Sequence, residues 1–206
     1  DLVVISVEGK RGGGDAPSES VVLAADVTGD TMTLSASHPA ALGASFSASS
    51  GQFTIMTPSD TDPTNETHGV WFVAGSGDNL SAGLSLPALP SGWVYEGWVE
   101  TADNGRFSTG TFTANSGQDS SFFYSNPDVP PFPGEDFLFN APAGVVFPLD
   151  LSGHTVTITA EPFPDDTIAP YGITVLQGSI PSGVQGGSVH ALTGTSIVPS
   201  ATLTIF

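Results

Sequence analysis

Cysteine is absent from this 206-residue chain. Without it there is no disulfide framework, no catalytic thiol and no cysteine-based zinc site, although the absence does not exclude an exported protein. Strong bases are almost absent too. Lys10, Arg11 and Arg106 stand against 21 acids, giving a formal net charge of −18 and a pI near 4.1. Such a surface repels polyanions, which argues against nucleic acid or an anionic membrane surface as partners. No run of 18 apolar residues and no basic-then-apolar leader occurs, so the chain reads as soluble or already processed. Capped amphipathic helical stretches are missing as well.

What remains is a chain rich in turn formers. Glycine contributes 25 residues and proline 17, with apolar residues at 39%. Short alternating segments between Gly, Pro, Asn and Asp clusters predict an all-β fold, an antiparallel β-sandwich of immunoglobulin-like or jelly-roll-like type. The length is enough for a real core. The expected organisation is an N-terminal strand over residues 1–9, a flexible glycine-rich linker over 10–20, and a single sandwich domain over 21–206.

The centre of that domain is a hairpin. The run Leu86-Pro87-Ala88-Leu89-Pro90 must be extended, because each proline lacks an N–H and disfavours helix in the residue before it. From Trp93 to Glu100 the chain then alternates, with Trp93, Tyr95, Gly97 and Val99 on one face and Val94, Glu96, Trp98 and Glu100 on the other. A turn at Ala102 to Gly105 leads into a second strand from Phe107 to Thr113. Another hairpin is expected from 21–27 to 31–36, with Met32, Leu34 and Ala36 inward. Further strands are expected within 44–56, 70–74, 155–160, 171–176, 189–192 and 201–206. The opening segment Leu2 to Val7 is apolar on both faces, a pattern that belongs in a sheet centre.

These motifs also carry a likeness. Leu86-Pro87-x-Leu89-Pro90-x-Gly92-x-Val94-Tyr95-x-x-Trp98, followed by Ser108-Thr109-Gly110-Thr111-Phe112, resembles the extracytoplasmic C-terminal domain of anti-sigma-K factors. The run Val156 to Pro162, with Pro170 and Gly178, is similar to that domain's closing strands, so the resemblance spans residues 70–180. It implies a fold and no defined catalytic role. The helical sigma-binding domain and membrane span of such a regulator are not in this chain.

A search for chemistry finds little. His38, His68, His154 and His190 are scattered, with no helical pair for zinc and no H-E-x-x-H. No serine lies in G-x-S-x-G. Among the carboxylates, Glu96 and Glu100 sit four residues apart on one strand, ~13 Å at a rise of roughly 3.3 Å per residue, too far for a glycosidase pair. Glu135-Asp136 and Glu161 with Asp165-Asp166 are the other adjacent acids. Asp60, Asp62 and Glu66, with Thr64, place oxygen ligands at alternate positions of a polar loop, a spacing calcium accepts and an ordinary polar turn also explains. The cofactor expectation is therefore none, or calcium at that loop.

Two further features bear on partners. Residues 115–142 form a long excursion with Phe122, Phe123, Tyr124 and Phe132, expected to fold as a lid over the second face of the central strand, with Trp98 as ligand or lid contact. Val3, Ile5 and Val7 are candidate donor-strand residues, whose burial in a neighbour would contribute roughly 5–9 kcal/mol at about 1.5–3 per side chain before entropy costs; the other reading is an ordinary first strand that folds back into its own sandwich, which the same linker permits. The function expected is a non-enzymatic extracellular structural protein, a homo-oligomer or polymer forming a surface layer, matrix or filament. A regulatory ectodomain of anti-sigma type and a carbohydrate-binding module are the alternatives.

Overall fold

The computed structural model describes residues 1–9, 16–43, 45–75, 77, 79–103, 105–164, 167–195 and 198–206. Lys10, Arg11 and Asp165-Asp166 therefore lie outside the described residues. The fold is all-β and antiparallel. Its strands are β1 (Leu2–Ser6), β2 (Val21–Asp26), β3 (Thr31–Ser35), β4 (Ser50–Ile55), β5 (Gly69–Trp71), β6 (Val73–Ala74), β7 (Ser81–Ala82) and β8 (Leu84–Ser85). They continue as β9 (Trp93–Glu100), β10 (Arg106–Phe112), β11 (Gly134–Asp136), β12 (Thr155–Pro162), β13 (Thr174–Ser179), β14 (Val189–Gly194) and β15 (Ser200–Thr204). Among the described residues the sole helical element is a 3-10 turn, Phe46–Ala48, where the sequence predicts a strand.

Nine strands form the larger sheet, ordered β10-β9-β12-β13-β14-β4-β5-β11 with β8 added on β4. Its two end strands, β10 and β11, come back into contact, so the sheet curls almost into a barrel. A second sheet, β1-β2-β3-β15, packs its inner face on the same core, where Leu23, Ala25, Met32 and Leu34 join Phe53, Phe72, Tyr95 and Ile158. A small pair, β6-β7, completes the fold.

The central hairpin forms as its alternation requires. β9 pairs with β10 from Glu100 opposite Arg106 to Tyr95 opposite Phe112, and on its other side with β12 along its whole length. Trp93, Tyr95 and Val99 enter the core, and Tyr95 stacks on Phe112 at 5.7 Å between ring centroids. Tyr95 also donates its hydroxyl to Pro87 O at 2.7 Å, which ties the extended proline run to the strand. Gly97 is glycine for a packing reason: a Cβ there would overlap Thr109 Oγ1 and the Phe72 ring. Thr109 sits where the β9-β10 register shifts between Ser108 and Gly110, a bulge that turns its side chain toward Gly97.

The opening strand folds back into its own sheet, and departs from expectation in lying at an edge. β1 pairs antiparallel with β2 of its own chain, from Leu2 opposite Asp26 to Ile5 opposite Leu23, and occupies the edge of the smaller sheet, not its centre. Val3 and Val7 pack against the chain's own core, while Leu2 and Ile5 stay exposed. The end of the expected linker is anchored: Ser18 donates to Val7 O at 2.6 Å and Ser20 to Gly92 O at 2.9 Å.

Candidate functional site

The acidic loop puts its carboxylates to local use. Asp60 Oδ1 accepts from Asp62 N at 3.0 Å and its Oδ2 from Asn65 Nδ2 at 2.7 Å. Asp62 accepts from Thr64 N at 2.9 Å, and Glu66 accepts from Thr57 N at 3.3 Å. Each acid thus caps a different donor of its own loop, as Asp readily does in turns. Among the described residues no three His, Asp or Glu side chains are grouped to hold a metal ion.

The aromatic excursion packs onto the body of the molecule, with no ring-to-ring contact to Trp98 among the described residues. Tyr124 packs on Phe137 at 5.6 Å and on Phe147 at 5.3 Å, while Phe132 joins Met56, Trp71 and Val73 in a second small core. Phe122 and Phe123 project into solvent. Trp98 is buried in a polar row instead: its Nε1 donates to Thr159 Oγ1 at 2.9 Å, and Thr159 donates onward to Glu161. Glu161 also accepts from Tyr171 N at 2.9 Å. Beside this row, Ser108 donates to Glu96 at one wall of a cavity of about 330 Å³, which Thr111, Ser120, Ser121 and Phe163 also line.

The excursion hides a short strand that alternation does not reveal. β11 is Gly134-Glu135-Asp136, fully buried and paired with β5. Asp136 Oδ1 accepts from Trp71 Nε1 at 2.7 Å and its Oδ2 from Ser59 N at 2.8 Å. Glu135 accepts from Ser125 Oγ on the opposite face, and its buried Oε2 has no hydrogen-bond partner among the described residues. Asp119 bridges the barrel seam, accepting from Gly134 N at 2.8 Å and Ser121 N at 3.2 Å while packing on Gly110 of β10. Burial pushes Asp119 up to about 8, Glu135 up to about 7 and Asp136 up to about 6, against the hydrogen bonds that pull each back down. Adjacent residues of a strand point to opposite faces, so Glu135 and Asp136 share no reacting centre; they fasten loops.

The other unusual surface lies on the smaller sheet. Among the described residues no backbone hydrogen bond reaches the outer edge of β1 or of β15. Both strands are free of charged residues in a chain with 21 acids. They also carry or adjoin exposed apolar side chains: Leu2 at 49%, Ile5 at 47%, Leu203 at 36%, Ile205 at 49%, and Phe206 fully exposed. Proteins ordinarily blunt such edges with charge, proline or a covering loop. Periodicity in the sequence shows both strands, but which of them become edges is fixed by tertiary pairing.

Fold and surface together define an all-β antiparallel protein whose buried acids anchor loops and whose smaller sheet ends in two uncharged edges, unpaired among the described residues. Comparison with known proteins finds no matching family model, no matching curated protein and no matching solved structure.

Proposed function

We propose that the protein is a non-enzymatic structural module that assembles with copies of itself outside the cell, in a layer, matrix or filament. The observation that carries this reading is the pair of unprotected apolar edges on one sheet, set in an otherwise strongly acidic molecule. Acid charge keeps the remaining surface soluble and self-repelling, so association is channelled to the neutral edges. The scarcity of lysine and the abundance of Ser, Thr and Gly support an exterior location. Because β1 already completes its own sheet, assembly by adding strands at the edges fits the geometry better than exchange of Val3, Ile5 and Val7 into a neighbour.

Sedimentation velocity and electron microscopy of the purified protein test the reading. Concentration-dependent large species seen as fibres or sheets are expected. A monodisperse monomer over the full concentration range overturns it.

A second reading rests on the cavity beside Glu96. A buried carboxylate, five hydroxyl side chains and the exposed Phe163 ring are groups that bind sugars. Glycan-array binding lost in Glu96→Gln supports it; an array without signal removes it.

A further inference from the structure

We infer that the copies join edge to edge in one register: β15 of one copy pairs antiparallel with β1 of the next, placing Leu203 opposite Ile5, Ile205 opposite Val3, and Phe206 opposite Leu2. This rests on the self-assembly reading above and names its surface, partner and register. The partner is a second copy of this chain.

Direction comes first. Neighbours in the order β1-β2-β3-β15 are all antiparallel, so β1 and β15 run in opposite senses. A second copy placed beside β15 by translation along the sheet therefore presents its β1 antiparallel, and the alternation continues unbroken. Parallel pairing would need the second copy turned over about the axis that crosses the strands, which puts its core-facing side on the opposite face of the continued sheet.

Side-chain facing comes next. Val3 lies opposite Ala25, Ala24 opposite Ser35, and Leu34 opposite Ala201, so Val3, Ala25, Leu34 and Ala201 form one row on the core-facing side. Odd-numbered residues of both edge strands thus face inward and even-numbered ones outward. A shift by one residue would place apolar side chains on the wrong face, so only pairings that match odd with odd are admissible.

Among these, pairing Leu203 with Ile5 uses every exposed apolar group on the two edges. Leu203 meets Ile5 and Ile205 meets Val3 on the inner face, while Phe206 meets Leu2 and Thr204 meets Val4 on the outer face. Of the twelve large hydrophobic residues that are exposed among the described ones, five lie on or beside these two strands, and this register gives all five an apolar partner. Sliding by two residues in one direction sets Ile205 opposite the acid Asp1. Neither strand contains proline, lysine or an acid to obstruct pairing, and the β1-β2 register shift between Ile5 and Ser6 places its extra residue, Val22, on β2. The contact joins two different surfaces, so it propagates head to tail into a filament or closes into a ring.

Because the native chain has no cysteine, disulfide trapping reads the contact cleanly. Single variants Ile5→Cys and Leu203→Cys are mixed, allowed to assemble and mildly oxidised, then run on a non-reducing gel, with circular dichroism confirming that both fold. Within one chain the two edges are three strand spacings apart, about 14 Å, beyond the ~7 Å that a disulfide spans between Cα atoms. A cross-linked dimer in the mixture, absent from each variant alone and strongly reduced when Thr202→Cys replaces Leu203→Cys, is the expected result. Cross-linking within a single variant shows a symmetric contact and overturns the register while self-assembly stands, as do assemblies that yield no cross-link in the mixture. Monomers under all conditions overturn both.

Discussion

Single buried side chains hold this fold at points that the composition makes hard to replace. Asp136 is fully buried and receives both Trp71 Nε1 and Ser59 N, so one carboxylate ties the second small core and the acidic loop to β11. Asp136→Ala leaves two buried donors without an acceptor, at about 1–3 kcal/mol each. A loss of roughly 2–6 kcal/mol in urea unfolding is expected, whereas Asp62→Ala, at an exposed turn, should leave the unfolding midpoint close to that of the parent protein. Asp60, Asp62 and Glu66 each answer a different loop donor. Calcium and EDTA should therefore leave the melting temperature unchanged at matched ionic strength; a calcium-specific rise would show that the loop rearranges into a site. At Gly97, where a Cβ would overlap Thr109 and Phe72, Gly97→Ala forces β9 and β10 apart and should cost roughly 1–3 kcal/mol by overpacking.

At the scale of elements, the barrel closes through polar anchors. β10 and β11 meet without a continuous ladder, and Asp119 links them by accepting from Gly134 N while packing on Gly110. Asp119→Ala should speed amide exchange in β10 and β11 and leave β2 and β3 protected, since those belong to the other sheet; uniform loss of protection would mean that Asp119 supports the whole core. This scale also shows what the sequence makes legible. Alternation from Trp93 to Glu100 identifies β9, its two faces and its hairpin partner, because a half-polar strand writes its facing into every second residue. β11 escapes, because Gly-Glu-Asp buries two acids and has no apolar alternation, only partners supplied by distant loops. Trp98 was legible as facing away from Trp93, but not its partner, Thr159, which strand pairing between β9 and β12 brings alongside. For β1, an apolar pattern on both faces pointed to a sheet centre. Its edge position leaves that pattern unexplained within one chain; in the edge-to-edge contact proposed above, a neighbouring copy would supply the missing strand.

For the whole molecule, charge bears on stability and on the proposed assembly alike. Asp119, Glu135 and Asp136 have folded-state values raised to about 8, 7 and 6 by burial. An acid raised above its unfolded value favours folding most when protonated, so this stability is fully present below the ordinary carboxylate range and is lost as pH climbs through 6 to 8. The share of Asp119 is reduced by its partial exposure to solvent. Melting temperature should thus fall between pH 5 and 9, and Asp136→Asn should flatten that fall. The 21 acids act in the same direction, since their mutual repulsion opposes compaction and also opposes the approach of a second copy. Repulsion reaches about 30 Å at 0.01 M salt and about 8 Å at 0.15 M, whereas the contact between β15 and β1 is uncharged. Salt therefore removes the opposing force and leaves the attraction intact, so light scattering should show faster assembly as sodium chloride rises, with Ile5→Glu suppressing it at every salt concentration. Assemblies that dissolve on adding salt would be held by ion pairs, and the apolar edges of β1 and β15 would not be the surfaces that join them.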